Sequence, residues 1–370
     1  MLLCQKSWGG VYSMLIAYSV LAFLLSCGLC PLIIKFCNKK KIFDEIDERK
    51  IHTGNIPRFG GIAVFVAFIF FVILYDMYTP YFNCMDYWQV ILAFFIIFIT
   101  GILDDYFSLD AKIKFCLQIV SALIIALSPF YFRHFLDLNL PFEMGRFAIF
   151  FWILLCVNAY NLIDGLDWLC SGLSLISVLT FAICGFVKNW SYYPMLFLLA
   201  ASIAGFMVWN KPNAKIFLGD GGSTSLGFII AVIPVLNPLD TTYDYNQVLI
   251  CLLISSIPTI DVVAAIIRRI RDKKGIFSPD KAHLHHKLLN IGFTKTTILI
   301  CILTIQTFIG AMIVFSMYTG RRVGTAFISA AYFVVICLFI FVHYVNRYFN
   351  QLQKGCLQDC NLKKQNEDKN

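Results

Sequence analysis

Long apolar runs alternate with short polar ones along almost the whole chain. The runs lie near residues 11–36, 60–77, 88–103, 113–132, 147–160, 168–187, 191–209, 223–237, 247–267, 296–318 and 325–346. Crossing a hydrocarbon core of ~30 Å takes about 20 predominantly apolar residues in a helix, and in lipid the helix satisfies its backbone polar groups within one segment. The pattern therefore predicts an all-α, polytopic integral membrane protein of eleven transmembrane helices, or ten if one of the two weakest runs, 147–160 or 223–237, does not span. The first run, about 26 residues long, exceeds the apolar core of a cleaved signal and is expected to be retained. One transmembrane domain over residues 1–350 is expected, with loops near 37–59, 104–112, 158–167, 210–222 and 268–295. A polar tail follows at 351–370.

Composition agrees with the pattern. Of 370 residues 59% are hydrophobic and 14% charged, with 36 Phe and a mean hydropathy of +0.76, against roughly 25% charged in soluble domains. The cations then orient the chain, because basic loops stay cytoplasmic. Six of the 30 Lys and Arg (Lys6, Arg133, Arg146, Lys188, Arg321 and Arg322) fall on one set of loops, and the other 24 fall on the opposite set and the tail. The amino terminus is thus expected outside and the carboxyl terminus in the cytoplasm. The net charge of +8 reads as this bias plus attraction to anionic headgroups of the lipid bilayer, and no nucleic-acid partner is expected. The 14 Cys read mostly as small buried hydrophobes.

With the loop sides assigned from Lys and Arg alone, the unusual polar residues collect at the cytoplasmic ends of spans. The third span ends in Asp104 and Asp105; adjacent carboxylates repel unless a cation or solvent screens them, so the pair is either a solvated helix end or a Mg²⁺ or phosphate site. Asn158, Asn161 and Asp164 recur every third residue and form one polar stripe if the fifth helix continues. Gly165 would end it, and Asp167 follows. The stripe reads as interhelical glue or, with its carboxylates, as part of a site. Between the seventh and eighth spans Gly219, Gly221 and Gly222 surround Asp220, allowing close backbone approach to a ligand, and Ser223 could cap the next helix. In the largest loop, Arg268, Arg269 and Arg271 precede Ser278, Pro279 and Asp280, a helix start. His283, His285 and His286 follow. Leu284 and Leu288, four apart, suit a helix on the membrane surface. No familiar zinc-ligand spacing accompanies the histidines, and beside the arginines they look like an anionic-ligand pocket.

LDDYFSLD, NAYNLIDGLD, FLGDGGSTSLGF and IPTIDVVAAIIRRIRDKKGIFSPDKAHLHH resemble, in that order, the signature segments of the polyprenyl-phosphate N-acetylhexosamine-1-phosphate transferase superfamily, glycosyltransferase family 4. RKIHTGNIPRFGGIAVF resembles its first cytoplasmic loop and second span. The fourth segment is similar to the branch of bacterial undecaprenyl-phosphate GlcNAc-1-phosphate transferases, which begin cell-envelope polysaccharides such as lipopolysaccharide O-antigen; the phospho-MurNAc-pentapeptide translocase branch is the lesser candidate. One departure stands out, since the family usually has glycine where this chain has Trp168.

The resemblance implies transfer of HexNAc-1-phosphate from a UDP-N-acetylhexosamine to undecaprenyl phosphate, with release of UMP, at the cytoplasmic face of a bacterial inner membrane. It implies Mg²⁺, with Mn²⁺ as a substitute, and leaves a homodimer open. By the same carry-over, Asp104, Asp105, Asp164 and Asp220 form the catalytic set, and Asp220 holds the metal with Asp104 or Asp105 sharing it. Asn158, Asn161, Asp167, Arg268, His283, His285 and His286 become substrate contacts. A nucleotide-sugar transporter is the rival from another class, but transporter sites lie near the bilayer midplane and these acidic groups gather at one face.

Overall fold

A computed structural model describes residues 2–43, 56–79, 83–236, 241–275 and 283–367, with side chains for 12–43, 56–79, 83–236, 245–275 and 283–352 of these. The helices are α1 (Leu2–Lys40), α2 (Gly60–Tyr78), α3 (Trp88–Phe107), α4 (Ala111–Ala126), α5 (Phe142–Ile163), α6 (Leu169–Lys188) and α7 (Tyr193–Asn210). They continue with α8 (Gly219–Val232), α9 (Thr241–Ile254), α10 (Ser256–Arg271), α11 (Leu284–Ile291), α12 (Lys295–Met317) and α13 (Arg321–Glu367). Strands are confined, among the described residues, to an antiparallel hairpin of β1 (His134–Phe135) and β2 (Leu138–Asn139) before α5.

The all-α polytopic architecture is present, and the apolar runs lie for most of their length on helices, the run at 247–267 on two. Among the described residues eight helices are long and apolar enough to cross a membrane, and a ninth span arises if the bent pair of α9 and α10 counts as one. The expectation of ten or eleven spans also counted α4 and α8. Their 16 and 14 residues rise ~24 and ~21 Å at 1.5 Å per residue, short of a ~30 Å core by length alone; α4 nevertheless runs from Lys114 beside Asp104 to Leu127 beside Arg146 in the first turns of α5, so α3, α4 and α5 alternate in direction. α8 is buried on nearly every side, from Gly219 to Val232, where α2, α3 and α5 enclose it. A helix apolar all round belongs inside a bundle.

The run expected at 247–267 is broken. α9 and α10 meet at Ser255 with a bend of 71°, which frees backbone carbonyls inside an apolar bundle. Gln306 of α12 serves one of them, its amide donating to Ile254 O at 2.8 Å and to Ser177 Oγ at 3.0 Å. A break at membrane depth persists only where neighbouring helices satisfy it in this way. α11 departs from a surface helix, because Leu284 and Leu288 are buried in the bundle core. The helix start read from Ser278, Pro279 and Asp280 lies outside the described residues, as do Arg49 and Lys50. Cys27 and Cys30, one turn apart in α1, are free thiols.

Candidate active site

Three glycine-mediated approaches bring α8 against α2 and α3. A Cβ on Gly101 would stand 2.5 Å from Gly221 Cα, and one on Gly61 would stand 2.5 Å from Gly222 Cα. Gly219 has a φ of +76°, the left-handed region that glycine tolerates, and a Cβ there would collide with the Arg58 carbonyl oxygen. The segment before α2 pairs with the one before α8: Phe217 N donates to Pro57 O at 2.8 Å, Gly60 N to Phe217 O at 2.9 Å and Gly61 N to Leu218 O at 2.8 Å. The Gly-rich motif therefore closes on neighbouring backbone, where close approach to a ligand was expected. Ser223 lies within α8 and accepts from Asn161 Nδ2 at 3.1 Å, so it is no N-cap.

The first amides of α8 point instead at a carboxylate. Asp220 N donates to Asp105 Oδ1 at 2.8 Å and Gly221 N to Asp105 Oδ2 at 2.9 Å. Free N–H groups at a helix start favour an anion, and Asp105 supplies it from α3. The next-door Asp104, on the same last turn, accepts from Leu109 N at 2.8 Å through Oδ1, which supports the left-handed Ser108 ending the helix. Its Oδ2 takes the Lys114 ammonium at 2.8 Å, and Asp220 Oδ2 takes the same ammonium at 3.1 Å. The Asp104 and Asp220 carboxyls lie against each other, with Asn161 and the Arg58 charge also acting on Asp220.

Asp104, Asp105, Asp220 and Asn161 are thus assembled from three helices, and Asp104 and Asp220 share one cation. Lys114 is the residue that motif reading missed. Its signal was weak, a lysine one turn into α4 after the Asp110 N-cap, whose carboxylate accepts from Lys112 N, and it served only as evidence of a basic loop. Two oxygens from separate helices converging on one ammonium form a donor set that suits Mg²⁺, which takes one or two carboxylates together with phosphate oxygens. Among the described residues no group of three or more His, Cys, Asp or Glu could hold a metal by itself. That pattern fits an ion whose remaining ligands come from substrate and water.

A second cluster lies at the end of α5. Three residues past Asn161, a rise of ~4.5 Å, Asp164 caps the helix and is half-buried. A Cβ on Gly165 would stand 2.5 Å from His285 Nε2, so this turn rests directly on the histidine segment. The His283 and His285 rings stack 5° from parallel with centroids 6.1 Å apart, and His286 lies 4.3 Å from His285. Burial, with lesser contributions from the neighbouring imidazoles, pushes His285 down to about 3. It is therefore neutral at physiological pH. Asp261 of α10 takes His283 Nδ1 at 2.9 Å and Leu284 N at 2.8 Å; it stood in the fourth signature segment, but nothing in the one-dimensional spacing tied it to the histidines. Arg268 is half-buried two turns further along α10.

Two expected contacts have other occupations. Asn158 Nδ2 donates to Gln118 Oε1 and to Leu154 O, each at 2.8 Å, which ties α5 to α4. Asp167 Oδ2 accepts from Asn213 N at 3.1 Å and Ala214 N at 3.2 Å, anchoring the loop that leads to Asp220. Trp168, the departure from the family pattern, has a φ of +67°, a conformation that costs a side-chain-bearing residue roughly 1–2 kcal/mol. It is held there by its amide donating to Asn210 Oδ1 at 3.0 Å and its indole Nε1 donating to Met207 O at 2.7 Å.

Comparison with known proteins places the chain in a family. The glycosyl transferase family 4 profile matches residues 87–237, which include Asp104, Asp105, Asp164 and Asp220. A protein of Bacillus subtilis (strain 168) named "Probable undecaprenyl-phosphate N-acetylglucosaminyl 1-phosphate transferase" is 32% identical over 339 residues, covering 88% of this chain and 90% of its own. Proteins of Yersinia pestis and Escherichia coli (strain K12), both named "Undecaprenyl-phosphate alpha-N-acetylglucosaminyl 1-phosphate transferase", are 31% identical. The alignments cover 74% of this chain and 76% of the Yersinia protein, and 70% of this chain and 72% of the Escherichia protein. With likeness running through nearly the full length of a relative, this multi-pass membrane protein belongs to glycosyl transferase family 4, in the branch of the undecaprenyl-phosphate N-acetylglucosaminyl 1-phosphate transferases.

Proposed function

We propose that this protein transfers N-acetylglucosamine 1-phosphate from UDP-GlcNAc to undecaprenyl phosphate at the cytoplasmic face of a bacterial inner membrane, releasing UMP. The observation that carries the reading is the convergence of Asp104 and Asp220 on Lys114, with Asp105 holding the start of α8. The face is assigned from Arg58, Lys114, Arg268 and the other basic residues at this end of the bundle, by the positive-inside rule.

In the reaction an oxygen of the lipid phosphate attacks the sugar-bearing phosphorus of UDP-GlcNAc. A new P–O bond forms, the bond to the oxygen bridging the two phosphates breaks, and UMP leaves with that oxygen. The lipid phosphate is mostly a dianion at neutral pH because its second pKa is near 6, so no strong base is required. Bringing anions together is the main obstacle, and catalysis consists of positioning and charge neutralisation. Asp220 and Asp104 would hold Mg²⁺, which when bound supplies Lewis-acid neutralisation of the diphosphate. Lys114 fixes both carboxylates and leaves a cation beside the phosphates. Asp105 keeps Asp220 in register, and Asn161 and Asp164 line the route toward the nucleotide. Arg268 and the histidines hold the sugar diphosphate, Arg as the better fork for phosphate oxygens.

Membranes carrying the protein, given UDP-GlcNAc, undecaprenyl phosphate and Mg²⁺, should release UMP and form a lipid-linked sugar. Asp220→Ala should abolish both while remaining in the membrane. Uptake of intact UDP-GlcNAc into vesicles with neither product would replace the enzyme by a transporter.

A further inference from the structure

Asp261 is a carboxylate in the interior of a bundle, where an unpaired charge would be costly. Both of its oxygens are used: Oδ2 lies 2.9 Å from His283 Nδ1 and Oδ1 accepts from Leu284 N at 2.8 Å, with the His283 and Asp261 side chains 7% and 3% exposed. His283 is the N-cap residue of α11 and makes no capping bond with its own side chain. One carboxylate from α10 thus caps α11 and grips the ring at its first position.

We infer that Asp261 is a positioning residue for substrate binding, holding the proton on His283 Nδ1 so that Nε2 faces the diphosphate of the nucleotide sugar. An ionised carboxylate can only accept, so Nδ1 must donate. Nε2 lies on the far side of the ring from Asp261, and among the described residues no protein group is bonded to it. The ring stacks on His285, which rests on Gly165 beside Asp164. A carboxylate placed behind the ring at Nδ1 would balance the charge of an imidazolium, the form in which Nε2 donates to a phosphate oxygen. A cap alone would need only one oxygen and would leave the ring orientation unspecified. This role rests on the transferase reading for its substrate, although the position of the proton does not.

Asp261→Asn tests it, because the amide oxygen can still accept from Leu284 N while the amide nitrogen faces Nδ1 and drives the proton to Nε2. The expected loss in kcat/KM for UDP-GlcNAc is on the order of 10- to 100-fold, the size seen when a carboxylate orienting a metal-bound imidazole is removed, carried by KM for the nucleotide sugar. In a His283→Gln background the same change should add nothing, since coupled residues are not additive. ¹⁵N spectra of histidine-labelled protein should show the His283 proton on Nδ1 in the wild type and on Nε2 in Asp261→Asn. Unaltered kinetics, an additive loss in the double variant, or a wild-type Nδ1 without its proton would each overturn the inference. A wild-type protein that makes no lipid-linked sugar would instead overturn the transferase reading and leave the spectra to decide the proton's place.

Discussion

Gly101→Ala is the sharpest probe of how the site is assembled. The added Cβ would stand 2.5 Å from Gly221 Cα, 2.6 Å from Gly221 N and 2.7 Å from the Asp220 carbonyl carbon. Carbon atoms prefer about 3.5–4.0 Å, and every obstructing atom is backbone, so α3 and α8 must separate by about 1 Å. The bonds from Asp220 N and Gly221 N to Asp105, now 2.8 and 2.9 Å, would lengthen to about 3.8 Å, beyond a hydrogen bond. Losing two bonds to a charged acceptor, at roughly 1.5–3 kcal/mol each, costs about 3–6 kcal/mol unless α8 re-registers. A displacement of ~1 Å at Asp220 alone lowers the rate by about 100-fold. UMP release from membranes measures activity, and size-exclusion profiles in detergent report folding. Gly28→Ala is the control, because a Cβ there meets nothing within 4 Å. Gly101→Ala membranes that release UMP within about twofold of the wild-type rate would refute the claim that backbone-to-backbone closure places Asp220.

Lys114→Met leaves Asp104 and Asp220 facing each other without their shared cation, so millimolar Mg²⁺ should raise the thermal midpoint of this variant more than that of the wild type; equal shifts would remove the carboxylate pair as the cation site. His285, held at about 3 in the folded protein against about 6.5 unfolded, takes its proton first in the unfolded chain as pH falls. It should have no effect on stability above pH 6.5 and should lower it by up to about 1.4 kcal/mol per pH unit below that, a slope that His285→Gln flattens and that denaturation in detergent at a series of pH values would measure. Trp168→Ala keeps the left-handed backbone strain and loses the indole bond to Met207, whereas Trp168→Gly loses the bond but relieves the strain. The alanine variant should be the less stable of the two by about 1 kcal/mol, and the reverse order of melting midpoints would count against a strained Trp168.

The helical, membrane-spanning nature of the protein and the positions of its apolar runs were legible in the linear sequence, because span length and apolarity are local properties that the bilayer imposes residue by residue. The chemistry-bearing side chains were legible for a related reason: carboxylates, amides and imidazoles near membrane boundaries are conspicuous against so apolar a chain. Where those groups point was not. Asp105 and Asp104 are neighbours in sequence, yet one terminates the backbone of α8 and the other meets Lys114, a division that depends on how α3 rotates against α8. The glycines around Asp220 looked like a ligand cradle, since sequence cannot tell whether a missing Cβ makes room for substrate or for another helix. Lys114 and Asp261 acquire meaning only through partners 106 and 22 residues away, and the break at Ser255 is tolerated because Gln306, on a later helix, reaches its freed carbonyl. The sequence by itself determined that the protein is helical and membrane-spanning, where its apolar runs lie and which reactive groups lie near their ends. Only the tertiary structure decided which of those groups meet, because side-chain pairing follows from helix rotation and backbone approach, and neither is encoded locally.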